Sequence, residues 1–351
     1  MPDVRGDRGA EVATVGPYLA SVLHDEKWRD CAVSLLTGGN SNLTYLIRSA
    51  AGDLVLRRPP LGTVAASAHD VIREHTVMQA LGRTAIPVPR MLLAQGADDS
   101  PLGVPFYAME RVVGHVCRDA LPAGYADDPA SRRLIAEELV DVMGAIHTCD
   151  PVSVGLDGFG RPAGFLDRQM RRWAQQWEHS RTGDRPELEA LRSDLVAAVP
   201  ASRYGGLVHG DFRIDNAVLH PSRPGTISAV LDWEMSTLGD PLADLGTFLM
   251  FWPEANEDER LLAIQVTAPL TAGEGFLTRA EVVERYAAVT GFDLADLSWY
   301  RAFAFFKYAV ICEGIAARMS AGSMLGAGMS NMEHRIEMTV ELGREALAAG
   351  R

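Results

Sequence analysis

Cysteine is scarce in this chain, with four in 351 residues. Cys31, Cys117, Cys149 and Cys312 are widely spaced and form no Cys-x-x-Cys pair, so neither a zinc site nor a disulfide framework is expected. No apolar run is long enough to span a bilayer, and the opening Met1-Pro2-Asp3-Val4-Arg5-Gly6-Asp7 has no apolar core of the signal-peptide kind. A cytoplasmic protein with no membrane partner is the expectation. Positive charge is also short, with 33 Lys and Arg against 46 Asp and Glu and a formal net charge of −13. Without a basic stripe, a nucleic-acid partner is not expected. Internal repeats and long low-complexity tracts are lacking too.

The length, 351 residues, exceeds what one compact core usually takes, so two lobes are expected. Charge is divided unevenly between them. Residues 1–110 hold 10 Lys and Arg and 12 Asp and Glu, so −11 of the net −13 falls on the remainder. An acidic second lobe would attract a polycationic substrate; keeping the chain soluble explains it equally well.

The most informative stretch is His209-Gly210-Asp211-Phe212-Arg213-Ile214-Asp215-Asn216, followed by Val230-Leu231-Asp232-Trp233-Glu234. Moving a γ-phosphoryl group onto a hydroxyl needs one carboxylate to orient the hydroxyl and ligands to hold magnesium on the phosphates. Asp211 is the candidate for the first task, and Asn216 and Asp232 for the second. A short loop aims Asp211 and Asn216 into one cleft, and the Asn oxygen serves a hard cation without adding carboxylate repulsion. Asp232 closes the β-branched run Ile227-Ser228-Ala229-Val230-Leu231, which reads as a strand.

Upstream, Leu35 to Tyr45 places Gly38, Gly39, Asn40 and Ser41 between apolar flanks, as a hairpin covering phosphates would; a plain β-turn reads the same way. Leu54-Val55-Leu56-Arg57-Arg58 is a strand ending in two basic residues that alternation sends to opposite faces. Ser67 to Leu81 has the spacing of an amphipathic helix entering after a Ser-rich cap, with Glu74 turned toward the strand. Phe106 to Val112 reads as a strand running into a connector. Helical periodicity returns over Ser131–His147 and Tyr300–Arg318. His147 closes the first of these helices, where packing or capping is the commoner role, and Trp173, Trp177, Trp252 and Trp299 read as core or groove-lining residues.

His-Gly-Asp, four residues, then Asn, with a strand and Asp232 beyond, and then Leu238-Gly239-Asp240-Pro241-Leu242-Ala243-Asp244-Leu245-Gly246, resembles the catalytic core of the aminoglycoside phosphotransferase and choline kinase group of the protein-kinase-like fold. The resemblance implies an α+β, bilobal fold. Residues 1–112 would form a small antiparallel-sheet lobe with one helix that binds nucleotide and ends in the hinge. Residues 113–351 would form a larger, mainly helical lobe for catalysis and substrate binding. It further implies ATP as donor, with GTP left open, Mg2+ as cofactor, and a small-molecule hydroxyl compound as partner.

In that frame Arg57 aligns with the usual phosphate-anchoring lysine, Arg58 being the competitor, and Glu74 is its partner acid. Met109 borders the adenine, and the Glu110 carbonyl and Val112 amide bond its edge. Asp244 looks like a structural acid bonded to loop amides. Arg213 occupies a position from which its guanidinium would reach the transferring phosphoryl group; a structural salt bridge to Asp215 or Glu234 is the other reading.

The run from Ile146 to Pro162, with Gln169-Met170-Arg171-Arg172-Trp173, is similar to a subgroup that includes the kinase-like domain fused to some acyl-CoA dehydrogenases. This implies a hydroxyacyl acceptor, with its CoA thioester as the favoured form. An aminoglycoside acceptor is the first alternative, and an inactive kinase-like binding module is the second. Arg161, Arg168, Arg171 and Arg172 form a dense cationic run, either a dock for CoA phosphates or a solvated helix face. Oligomeric state is not indicated.

Overall fold

Alternation along a β-strand sends neighbouring side chains to opposite faces, and in the first half of the chain it decides which basic residue faces which helix. In the computed structural model, residues 9–36, 42–61, 70–320 and 332–350 are described. They divide into two compact units: residues up to Val113 together with Ser228–Glu234, and Gly114–Ile227 together with Met235 onward.

The first unit is built on a five-stranded antiparallel sheet. Its strands β1 (Ala32–Leu35), β2 (Leu43–Ser49), β3 (Gly52–Arg58), β4 (Met91–Gln95) and β5 (Phe106–Glu110) lie in the order β1-β2-β3-β5-β4. Tyr45 and Ile47 of β2, Leu54 and Leu56 of β3, and Phe106 and Ala108 of β5 share one face. There they are buried against Val15, Leu19 and Ala20 of helix α1 (Val12–Val22) and against Trp28. The one-helix expectation for this lobe omits α1. Helix α2 (Val71–Leu81) packs against β4 and β5 and buries Val71, Glu74, Val77, Met78 and Leu81. Its cap is Asp70, whose carboxylate accepts from the Arg73 amide at 2.9 Å, rather than a serine; Ser67 lies outside the described residues. The Gly38-Gly39-Asn40-Ser41 segment also lies outside them.

The second unit is mainly helical. Its helices are α3 (Pro129–Thr148), α4 (Phe165–Ser180), α5 (Pro186–Ala197), α6 (Leu242–Met250), α7 (Glu259–Ile264), α8 (Arg279–Thr290), α9 (Leu297–Ser320) and α10 (Met332–Ala348). The short strands are β6 (Gly206–Val208), β7 (Ala217–Leu219), β8 (Ile227–Val230, which straddles the division between the units) and β9 (Thr237–Gly239). Helix α9 is apolar nearly all round, with Tyr300, Phe303, Phe306, Ala309 and Val310 buried, and it packs against α10, α6, α4 and α5. A helix with no polar stripe has to be enclosed by others. β6 and β9 pair antiparallel from Gly206↔Gly239 to Val208↔Thr237, which fixes the exit of β6 into His209.

Candidate active site

In the first unit, β3 carries Arg57 on the face opposite the α1 core. Its Nη1 lies 3.1 Å from Glu74 Oε1, and its Nη2 lies 2.8 Å from Asp232 Oδ1 and 3.3 Å from Glu234 Oε2. Arg58 points the other way, is buried, and donates to the Gly9 carbonyl at 2.6 Å and the Pro59 carbonyl at 3.1 Å. Arg57 is therefore the basic residue that meets Glu74.

Three carboxylates share this guanidinium. Burial pushes Glu74 up to about 7; Arg57 opposes the shift, while Asp232 and Glu234 add to it. Burial also works against the charged form of Arg57, but Glu74, Tyr107 and Asp232 outweigh it and raise its pKa. Asp232 itself is held at φ 65°, a left-handed conformation uncommon outside glycine, in a turn pinned by the fully buried Trp233, whose Nε1 donates to the Val230 carbonyl at 3.0 Å. Asn42 Nδ2 donates to Glu234 at 3.2 Å, and its buried Oδ1 has no donor among the described residues.

Met109 is buried in β5, opposite Val55 of β3. Glu110 ends β5, with its amide donating to the Arg90 carbonyl and its carboxylate accepting from Arg90 Nε, both at 2.9 Å. Val112 follows at the end of this unit and is half-buried.

In the second unit the His-Gly-Asp turn is held from below by Asp244. This fully buried carboxylate accepts from the His209 amide at 2.6 Å and the Gly210 amide at 2.8 Å, and His147 Nε2 approaches it at 3.2 Å. Burial works against its charge, but His147 and the loop amides hold the carboxyl below its ordinary value. His147 is fixed in turn by the Tyr286 hydroxyl, 2.7 Å from Nδ1. Gly210 has φ 90°, and a Cβ there would fall 2.6 Å from the Met235 Cβ, so only glycine fits this turn.

Beyond the turn, Asp211 is about one-third exposed (34%). Asn216 donates from Nδ2 to the Asp211 carbonyl at 2.8 Å and to Asp211 Oδ2 at 3.0 Å, which fixes both side chains. Arg213 pairs with Asp211 (Nε to Oδ1, 3.2 Å) and Asp215 (Nη2 to Oδ2, 3.0 Å) and lies 4.9 Å from the Phe251 ring centroid. Of the two salt-bridge partners the sequence suggests, it takes Asp215; Glu234 takes Arg57. Burial raises the pKa of Asp215, Arg213 opposes this, and Asp211 adds to it.

Asp211 and Arg213 open onto a pocket of about 160 Å³, walled mainly by Met250, Phe251, Val266, Ala304 and Ile311, with Lys307 also on its lining. The sequence reading missed Lys307, Phe251 and this pocket. Of the cationic run, Arg168 bonds the Ala163 and Arg161 carbonyls at the entry to α4, Arg161 and Arg171 are exposed, and Arg172 lies over Trp173.

An antiparallel sheet carrying an Arg–Glu pair, and a helical unit presenting Asp and Asn after a glycine turn, are the parts of the kinase-like fold. Residues 32–281 match the "Phosphotransferase enzyme family", and the chain belongs to that family. It is 35% identical over 308 residues to mouse (Mus musculus) acyl-CoA dehydrogenase family member 10, covering 87% of this chain and 28% of that protein; it thus spans under a third of that relative's length. A crystal structure from Ralstonia eutropha JMP134, provisionally described as an aminoglycoside phosphotransferase, superposes with a TM-score of 0.77 at 32% identity, covering 91% of this chain and 93% of that one. A thermostable mutant of aminoglycoside phosphotransferase APH(4)-Ia, in ternary complex with AMP-PNP and hygromycin B, shares the fold (TM-score 0.61, 16% identity, 96% and 98% covered). No described helix is long and apolar enough to cross a membrane.

Proposed function

We propose that the chain is a magnesium-dependent kinase that transfers the γ-phosphate of ATP to the hydroxyl of a hydroxyacyl compound, as free acid or CoA thioester. The observation that carries this reading is the pocket beside Asp211. Its walls are apolar, and its charged lining consists of one acid and two cations, Arg213 and Lys307. A polyamine such as an aminoglycoside is bound through several carboxylates, and one is present here; an alkyl chain is bound by apolar surface. The acyl-CoA dehydrogenase name of the mouse relative points to the same chemistry.

In this reading Asp211 orients the acceptor hydroxyl and takes its proton, with the Asn216 amide holding the carboxylate in place. Arg213 brings positive charge to the transferring group. In the first unit Arg57, positioned by Glu74, anchors phosphate, and Met109, Glu110 and Val112 border the adenine.

Asn216 and Asp232 are the proposed magnesium ligands, and magnesium supplies charge neutralisation on the phosphates. The donor chemistry fits. Both amide hydrogens of Asn216 face Asp211, so its oxygen is left for a cation. Three carboxylates on one guanidinium leave an excess of negative charge around Asp232. Among the described residues no group of three or more His, Cys, Asp or Glu stands ready to hold a metal alone, which suits an ion that takes one or two protein ligands with phosphates and water.

The test is turnover of purified protein with Mg·ATP on hydroxyacyl-CoAs, hydroxy acids, kanamycin-like polyamines and simple amino alcohols. The hydroxyacyl compounds are expected to give the highest kcat/KM. A higher value for the polyamines would overturn the acyl reading in favour of an aminoglycoside kinase, and no turnover with any acceptor would favour a binding module.

A further inference from the structure

Of the 33 basic residues in the chain only Lys27 and Lys307 are lysines. Lys27 is exposed, whereas Lys307 sits in the middle of α9, with Phe306 and Tyr308 buried on either side. Its ammonium donates to the Gly210 carbonyl at 3.1 Å, lies 5.7 Å from the Trp173 ring centroid, and lines the pocket with Asp211. Among the described residues no carboxylate comes within ion-pair distance of it, and two of its three N–H donors remain.

The same indole carries a second cation. The Arg172 guanidinium lies 5.8 Å from its centroid, is exposed, and also has no carboxylate partner among the described residues. Burial lowers the Lys307 pKa, Asp211 and Asp244 oppose this, and the Arg172 charge adds to it. Two cations gathered on one ring repel unless an anion joins them. In a chain that otherwise uses arginine, a compact ammonium inside an apolar pocket is the group that fits one oxygen without filling the space an alkyl chain needs.

We propose that Lys307 and Arg172, flanking Trp173, are specificity-determining residues that receive an anionic oxygen of the acceptor while Asp211 receives its hydroxyl. The anionic oxygen has two sources, the carboxylate of a free hydroxy acid or a phosphate of its CoA thioester. The inference rests on the hydroxyacyl reading for the apolar body of the acceptor, and its test is arranged so that each can fail alone.

Three forms of one chain are compared, hydroxyoctanoic acids differing in hydroxyl position, their CoA thioesters and their methyl esters, by calorimetric binding and by kcat and KM. Wild type is expected to bind at least one anionic form about tenfold more tightly than the neutral ester, as a charge-assisted hydrogen bond gives. The form preferred identifies the source. Lys307→Met is expected to erase that preference through KM. Arg172→Gln, a change at an exposed side chain, is expected to reduce it several-fold.

If Lys307 merely supports the Gly210 turn, Lys307→Met lowers kcat for acid, thioester and ester by one common factor and Arg172→Gln changes nothing, and the inference is overturned. It is equally overturned if wild type binds the ester as tightly as both anionic forms. Should Lys307→Met fail to fold, the Arg172→Gln ratio decides alone. Anion-selective binding without turnover of any form would retain this inference and remove the hydroxyacyl-kinase reading.

Discussion

In the first unit one guanidinium, Arg57, meets three carboxylates, Glu74, Asp232 and Glu234; in the second the pocket beside Asp211 gathers Arg213 and Lys307 around a single lining acid. The first arrangement has surplus negative charge and suits a divalent cation that travels with phosphates. The second sets two cations and one acid in apolar walls, with Arg213 also paired to Asp215 behind it, and suits an acceptor with a greasy body and an anionic end that Lys307 can meet. Residues 111–351 carry a formal −11; with Arg111, Asp232 and Glu234 in the first unit, −10 falls on the second and predicts the reverse there. Net charge belongs to the whole surface, whereas recognition is set by the few groups lining the site, so the local count decides.

The largest effect expected is at the carboxylate that the two readings share. Asp211→Asn should lower kcat by about 10²–10⁴-fold while leaving nucleotide affinity nearly unchanged, because the lost interaction belongs to the transition state. Single-turnover kinetics beside nucleotide titration checks this, and near-normal turnover removes Asp211 from the role.

The contrast between the clusters sharpens with metal. Asp232→Ala should weaken magnesium-dependent nucleotide binding by about tenfold more than Asn216→Ala, since a carboxylate contributes charge as well as coordination. Titrating nucleotide with and without magnesium measures the difference. Equal losses, or none in either variant, would break the assignment of the ligands.

Arg213 tests the cationic side. Arg213→Met should raise the barrier by about 2–4 kcal/mol, as loss of a comparable electrostatic group does. It should also lower Tm, because buried Asp215 loses its ion pair. A variant that melts lower yet keeps wild-type kcat at low temperature would make Arg213 purely structural.

The smallest effect is a pH dependence in the anionic cluster. Glu74 titrates near 7 when folded, above an ordinary 4.5, so the folded state holds its proton more tightly than the unfolded state does. The stability this gives is complete below pH 4.5 and is lost as pH rises toward 7. Without magnesium or nucleotide, wild-type Tm should therefore fall across that window by more than the Tm of Glu74→Gln. Parallel profiles would show that Arg57 keeps Glu74 ionised throughout.

Several parts of this protein were legible in the linear sequence because their chemistry is local. Asp211 and Asn216 are joined by one short turn, Asp232 follows closely on a strand, and the periodicity of α3 and α9 is written in neighbouring residues. The family resemblance also implies that Asp244 is a loop-holding acid, and it binds the His209 and Gly210 amides. Legibility stopped where a partner comes from far along the chain. Alternation says that Arg57 and Arg58 face apart, but the α1 core is what claims Arg58's face and leaves Arg57 to Glu74. Helix α1 itself has weak signals and is held by burial against the sheet.

Lys307 marks the limit most clearly. In sequence it is one cation in an apolar helix, an anomaly with no stated purpose; it lies 97 residues from the carbonyl it bonds. Sequence by itself fixed which functional groups exist and the short-range geometry of the His-Gly-Asp turn, because backbone dihedrals and neighbouring hydrogen bonds are local. Only the tertiary structure decided which charges share a pocket, because that depends on the packing of α9 against α6 and α4, and packing joins residues without regard to their separation in the chain.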